Sequence, residues 1–196
     1  MLNSEKLSRI CLDAAANAST SLTKLVGQLV TTEITSIKIA KVQTSFPEIE
    51  MDTKVASVCI PITGAIQGTS LLILPEETAY RVRDALLKPE IPGLKKLSPM
   101  DKSAIPEVGN IICGSFLTVF ANETNIRFME KVPSFSFDRF DAVVSSIIKT
   151  FAVSANKSLI IGVKFTISYT NFQGHIILFF GLEEFNTIIK ALDISE

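Results

Sequence analysis

Tryptophan is absent from this chain of 196 residues, and histidine occurs once, as His175. A lone histidine counts against a His-ligated metal and against a Ser–His triad. Cysteine is scarce too. Cys11, Cys59 and Cys113 lie far apart in apolar settings and form no Cys-x-x-Cys pair, so they read as buried, reduced thiols rather than a disulfide. No run of Lys or Arg appears, and 19 basic against 20 acidic residues leave a net charge of −1, which makes the electrostatic case for nucleic acid weak. The longest apolar runs, such as IILFF at 176–180, fall short of the roughly 20 residues a membrane helix needs. Glu5, Lys6, Arg9 and Asp13 interrupt the N-terminus where a signal-peptide core would lie. There is no P-loop, no cluster of metal ligands and no nucleophile beside a base. These absences point to a cytoplasmic globular protein without nucleic-acid or membrane partners.

What the chain does have is a 47% hydrophobic composition, enough for one sizeable core or two fused halves. Two stretches resemble each other: IQGTSLLILPEE at 66–77 and FQGHIILFFGLEE at 172–184. In each, Gln-Gly leads into an apolar run and an acidic pair then opens a helix, which points to an internal duplication. Helical spacing runs through 4–29, 77–88, 103–121, 140–155 and 184–193, with Ser103 as the expected N-cap of the third so that Pro106 falls in its first turn. Strands are expected at 35–43, 54–64, 68–74, 126–132, 158–170 and 174–180, where β-branched residues and alternation dominate. The Pro-rich stretch 88–99 is the joint between a first half of about 1–90 and a second of about 98–196 within a single domain. The expected architecture is α+β, two similar units sharing a sheet of roughly six strands with long helices packed on it.

The second long helix holds an anomaly. Ser103, Glu107 and Asn110 share one helical face at i, i+4 and i+7, while Ile105, Val108, Ile111 and Ile112 lie around them. A solvated face explains such residues without any function. Gly109, however, lowers helix stability by about 1 kcal/mol relative to alanine, which suggests a close approach to the backbone there. Close packing on the sheet would account for Gly114 as well. A carboxylate and a carboxamide one turn apart suit phosphoryl transfer: the acid can pair with a partner's lysine, and the amide can hold a water in line with phosphorus without ionising. The rest of such a site would have to come from another protein.

Ser103, Glu107, Asn110 and, after twenty-two intervening residues, Pro133 resemble the motif of the CheC/CheX/FliY family of chemotaxis phosphatases. The resemblance implies a CheC-like fold and removal of the aspartyl phosphate of a CheY-type response regulator. By it, Glu107 would pair with the regulator's lysine and Asn110 would position water. Ser103 and Pro133 would support them, as a helix cap and a fixed backbone. The chain would need no cofactor of its own, since Mg²⁺ would arrive with the regulator. The helix at 140–155, with Val143, Val144, Ile147, Ile148 and Phe151, corresponds to the one that contacts a CheD-like deamidase in CheC, and its apolar stripe also suits a core. In the first half, the segment NASTSLTKLV at 17–26 sets the alignment, placing Arg9 where Glu would stand and Leu12 where Asn would stand. That first site would be dead. The competing expectation is a non-catalytic adaptor that contacts a CheD-like protein or the flagellar switch. The oligomer would be a monomer or a homodimer.

Overall fold

In the computed structural model the two Gln-Gly stretches become adjacent central strands. The structure describes residues 5–88, 92–151, 157–168 and 172–192. Its elements, in chain order, are α1 (Glu5–Val26), β1 (Val30–Ala40), β2 (Lys54–Gly64), β3 (Gly68–Pro75), α2 (Glu76–Leu87), α3 (Pro99–Thr124), β4 (Phe128–Glu130), β5 (Ser134–Arg139), α4 (Phe140–Phe151), β6 (Ser158–Ile167), β7 (Gln173–Gly181) and α5 (Leu182–Ala191), with a 3-10 turn at Val42–Thr44. The expected ends of α4 at 152–155, of β6 at 169–170 and of α5 at 193, like residue 4 and residues 89–91 of the joint, lie outside the described residues. So does the Phe151 side chain.

The fold is α+β, as expected, with seven strands in one antiparallel sheet ordered β1-β6-β7-β3-β2-β4 and β5 also paired to β2. Because β4 and β5 run in line along β2, the sheet is six strands wide. The halves interlock: β1 of the first pairs with β6 of the second, while β4 and β5 of the second pair with β2 of the first. At the centre β3 pairs with β7, and Leu71 faces Ile177. Those two residues occupy the same place in the two Gln-Gly stretches, so the pseudo-two-fold passes through their pair.

One face of the sheet packs on α1, α2, α3 and α5 through a single cluster that includes Leu22, Val58, Ile60, Phe116, Phe120, Leu178 and Ile188. Phe116 and Phe120 stack with ring centroids 5.4 Å apart. Cys11 and Cys113 are buried free thiols and Cys59 is half-buried. The other face carries α4. There Val143, Val144 and Ile147 are 4%, 9% and 7% exposed, packed with Phe140, Leu71, Ile160 and Phe179. These three residues therefore form core, the second of the two roles that the apolar stripe suits, and their side chains are not presented to a partner. A helix laid on an open sheet face buries its only apolar stripe against the sheet.

Boundaries also differ from expectation: β1 spans Val30–Ala40 rather than 35–43, β4 shrinks to Phe128–Glu130, and α3 starts earlier. The N-cap of α3 is Ser98, not Ser103. The Ser98 hydroxyl accepts from the Asp101 amide at 3.2 Å, and the Asp101 carboxylate accepts from the Ser98 amide at 2.7 Å, a reciprocal capping box with Pro99 in the first turn. Pro106 consequently lies inside the helix and withholds the amide that would bond the Lys102 carbonyl. In addition, β5 was not anticipated. Its SFSFDR alternates, but only Phe135 and Phe137 touch the core while their neighbours are exposed.

At 26 residues α3 is also long and apolar enough to cross a membrane by length and composition, although polar residues interrupt its apolar runs. Ile105, Val108, Ile112 and Phe116 are buried within the protein core. His175, in β7, is half-buried opposite Lys164, and burial together with that lysine's charge lowers its pKa to about 4, so it is neutral.

Candidate functional site

The position of α3 follows from its N-terminus. Arg83 of α2 is buried and donates to the carbonyls of Lys96 and Leu94, both at 2.8 Å, and to Asp84 at 2.7 Å. Its guanidinium also lies 3.6 Å from Asp101, the capping carboxylate of α3. One cation thus ties α2, the approach to α3 and the first turn of α3 together. From that start the helix presents Ile105, Val108, Ile112 and Phe116 to the sheet, which leaves the other face to solvent.

Glu107 and Ser103 are exposed on that face, and Asn110 is partly exposed. The Asn110 amide donates to the Glu107 carboxylate at 3.3 Å. Ser103 serves its own helix, donating to the Pro99 carbonyl at 3.2 Å. The structure thus brings the acid and the amide together and leaves Ser103 two turns back along the same stripe. Pro133 stands half-buried in the gap between β4 and β5, on the edge segment that α3 packs against. Having no amide, it cannot extend a ladder across that gap.

Gly109 has a different explanation from a partner's approach. A Cβ built there would lie 2.8 Å from the Val58 side chain, so glycine lets α3 sit close on β2. At Gly114 a Cβ would find only ordinary contact, 3.4 Å from a Glu130 carboxylate oxygen.

Glu130 lies in the strand expected at 126–132, and nothing in its local sequence singles it out. The only available signal was Gly114, on the Asn110 face one turn further along α3. Burial raises the Glu130 pKa and so does the charge of Glu107, while the Cys113 thiol donates to its carboxylate and opposes the rise. The Cys113 thiol is itself pushed up, mainly by burial and then by the charge of Glu130.

The first half shows what the same frame looks like without the pair. Gly27 and Asn125, at φ 69° and 55°, cap α1 and α3 in the left-handed conformation. Residues equally distant from these caps correspond, and Asn17 donates to the carbonyl of its counterpart Ser115 at 2.6 Å, where the two helices cross. By this count Arg9 stands at the Glu107 position and Leu12 at the Asn110 position, and Leu12 is 59% exposed. The structural count therefore agrees with the alignment on 17–26.

Comparison with known proteins falls on the same segment. Residues 100–136 match the model of the CheC-like family, a span that begins before Ser103 and ends after Pro133. Over 139 residues the chain is 29% identical to "CheY-P phosphatase CheC" of Bacillus subtilis, covering 67% of this chain and 64% of that one. The fold is that of Thermotoga maritima FliY, with a TM-score of 0.76, 14% identity and 100% of both chains covered. The chain is thus similar to the CheC/CheX/FliY family in this segment and in its fold. A CheX–CheY–BeF3–Mg complex from Borrelia burgdorferi is a further match, with a TM-score of 0.56, 20% identity, and coverage of 88% of this chain and 96% of that one. At these identities the solved structures share the fold alone with this chain, while the family model matches α3 and the residues that follow it.

Proposed function

We propose that the chain is a phosphatase that acts in the cytoplasm on the aspartyl phosphate of a CheY-type response regulator. The observation that carries this reading is the Glu107–Asn110 pair, hydrogen-bonded to each other on a solvent-facing helix whose segment matches the CheC-like family model. Phosphoryl transfer needs orientation of water and stabilisation of charge more than covalent work by the protein. A carboxamide suits the first task, because it donates and accepts hydrogen bonds without changing charge. Asn110 orients the attacking water. Glu107 pairs with the regulator's lysine and fixes the approach of one protein to the other. As water adds to phosphorus, the bond from phosphorus to the aspartyl oxygen breaks, releasing the regulator's carboxylate and inorganic phosphate. Mg²⁺ enters with the regulator. Ser103 and Pro133 act only as supports, in the helix and at the break between β4 and β5. The names of the B. subtilis relative and of the CheX complex support this choice of substrate.

The test is the rate of phosphate loss from a phosphorylated CheY-type regulator. The parent chain should accelerate it. Asn110→Ala should remove about 10²-fold of that acceleration with the circular dichroism spectrum and melting temperature unchanged, since the side chain is partly exposed and bonds only Glu107. Equal rates for parent and variant would defeat the assignment. The eroded first site, Arg9 and Leu12, favours a second reading as a binding module at the flagellar switch. Regulator binding without any acceleration would select it. A CheD-type contact through Val143, Val144 and Ile147 has no support, because α4 buries them.

A further inference from the structure

The two halves differ in how their long helix meets the strand that follows it. In the first half the seam is closed: Thr32 donates to the Ala15 carbonyl at 3.1 Å, Ser19 to the Val30 carbonyl at 2.5 Å, and the Val30 amide to Thr23 at 3.0 Å. Counted from the helix caps, the counterparts of Thr32, Ser19 and Thr23 are Glu130, Leu117 and Ala121. Leu117 and Ala121 have no hydroxyl, so those bonds cannot form.

A groove of about 250 Å³ takes their place, lined by Gly114, Leu117, Thr118, Ala121, Phe128 and Glu130. It continues past Ala121 and Phe128 into a wider hollow beside Asn125 and Met129. Its upper end lies one helical turn from Asn110. We propose that this groove receives a lysine or arginine side chain of the bound regulator, with Glu130 as the residue that selects it. Only the naming of the partner rests on the phosphatase reading.

Three observations choose the occupant. Glu130 is the only charged wall residue of the 250 Å³ groove, whose other lining is apolar apart from Thr118, while Arg127 lines the hollow beyond it. Long basic side chains fit such a channel, since their methylenes lie on apolar surface while the charged head reaches the carboxylate. Neither Glu107 nor Glu130 takes part in an ion pair among the described residues, so both are available to a cation from outside. The carboxylate is also held in place: the Cys113 thiol donates to it from the buried side. Burial and the neighbouring charge of Glu107 both disfavour the ionised form, and an incoming cation would relieve that conflict.

The experiment titrates the full chain and its Glu130 variants with B. subtilis CheY carrying beryllofluoride and Mg²⁺, and in parallel follows phosphate loss from CheY-P. Glu130→Lys should raise Kd by about tenfold and Glu130→Gln by about threefold, with a weaker salt dependence of binding for the glutamine variant. Both substitutions fall on an exposed side chain, and melting curves matching the parent would exclude misfolding. Kd values within twofold of the parent for both variants would overturn the proposal while leaving the phosphatase reading intact. Glu130-sensitive binding without acceleration of phosphate loss would do the reverse.

Discussion

At the scale of single residues, α3 carries two glycines that answer to different demands. Gly109 meets Val58 and Ile60 of β2, so an added methyl group must push a buried valine aside. Overpacking of this kind destabilises by roughly 1–3 kcal/mol, more than the ~1 kcal/mol that alanine gains over glycine in a helix. Gly114 faces only the Glu130 carboxylate at ordinary contact distance, so alanine there keeps its propensity gain. In urea unfolding, Gly109→Ala should lower the midpoint and Gly114→Ala should hold or raise it. Equal effects at the two positions would show that both report helix propensity alone. From sequence the two were indistinguishable, because each is a glycine amid apolar residues and its neighbour across space comes from a distant strand. The acid and amide were legible for the opposite reason: spacing along one helix is a local property, and it alone places Glu107 and Asn110 on a shared face. Glu130 belongs to neither local pattern and emerges only when β4 packs beside α3.

At the scale of elements, the start of α3 decides where that face points. The expected cap, Ser103, would place Pro106 in the first turn. The structure accepts an internal proline and takes Ser98, because Ser98 with Asp101 satisfies two amides reciprocally and Arg83 supports the same carboxylate. Nothing in the sequence near Ser98 announces an arginine from α2. That arginine is 2% exposed and has Asp84 and Asp101 around it. Arg83→Met would leave two carboxylates and two carbonyls without their cation, a change of about 3–5 kcal/mol for a buried charge network. Ser98→Ala removes one cap, about 1 kcal/mol. Chemical denaturation of both variants should rank them in that order. An arginine variant no less stable than the serine variant would mean that solvent already screens the network.

At the scale of the whole molecule, duplication was visible in the Gln-Gly stretches, but the interlocking of the halves was not, since strand order depends on pairing between residues far apart in the chain. The pairing gives each half the other's edge strand, so neither half completes its sheet alone. It also makes the first site a built-in control for the second. Arg9 and Leu12 occupy the frame positions of Glu107 and Asn110 on an equally exposed helix face, yet the seam beside them is zipped by Thr32, Ser19 and Thr23. On the proposed phosphatase reading, if two side chains on a helix were sufficient, Arg9→Glu with Leu12→Asn should restore activity to an Asn110→Ala chain. If the open groove contributes partner binding, the graft should recover less than about a tenth of parental kcat/KM, a shortfall of at least 1.4 kcal/mol in transition-state stabilisation. Because both grafted side chains are exposed, folding should be unaffected, and any shortfall reports the site rather than the scaffold. Replacing Ser19 with Leu, Thr23 with Ala and Thr32 with Glu should then reopen the first seam and raise the grafted activity further. Full recovery from the two helix substitutions alone would show that the acid and the amide need nothing beyond the helix that displays them.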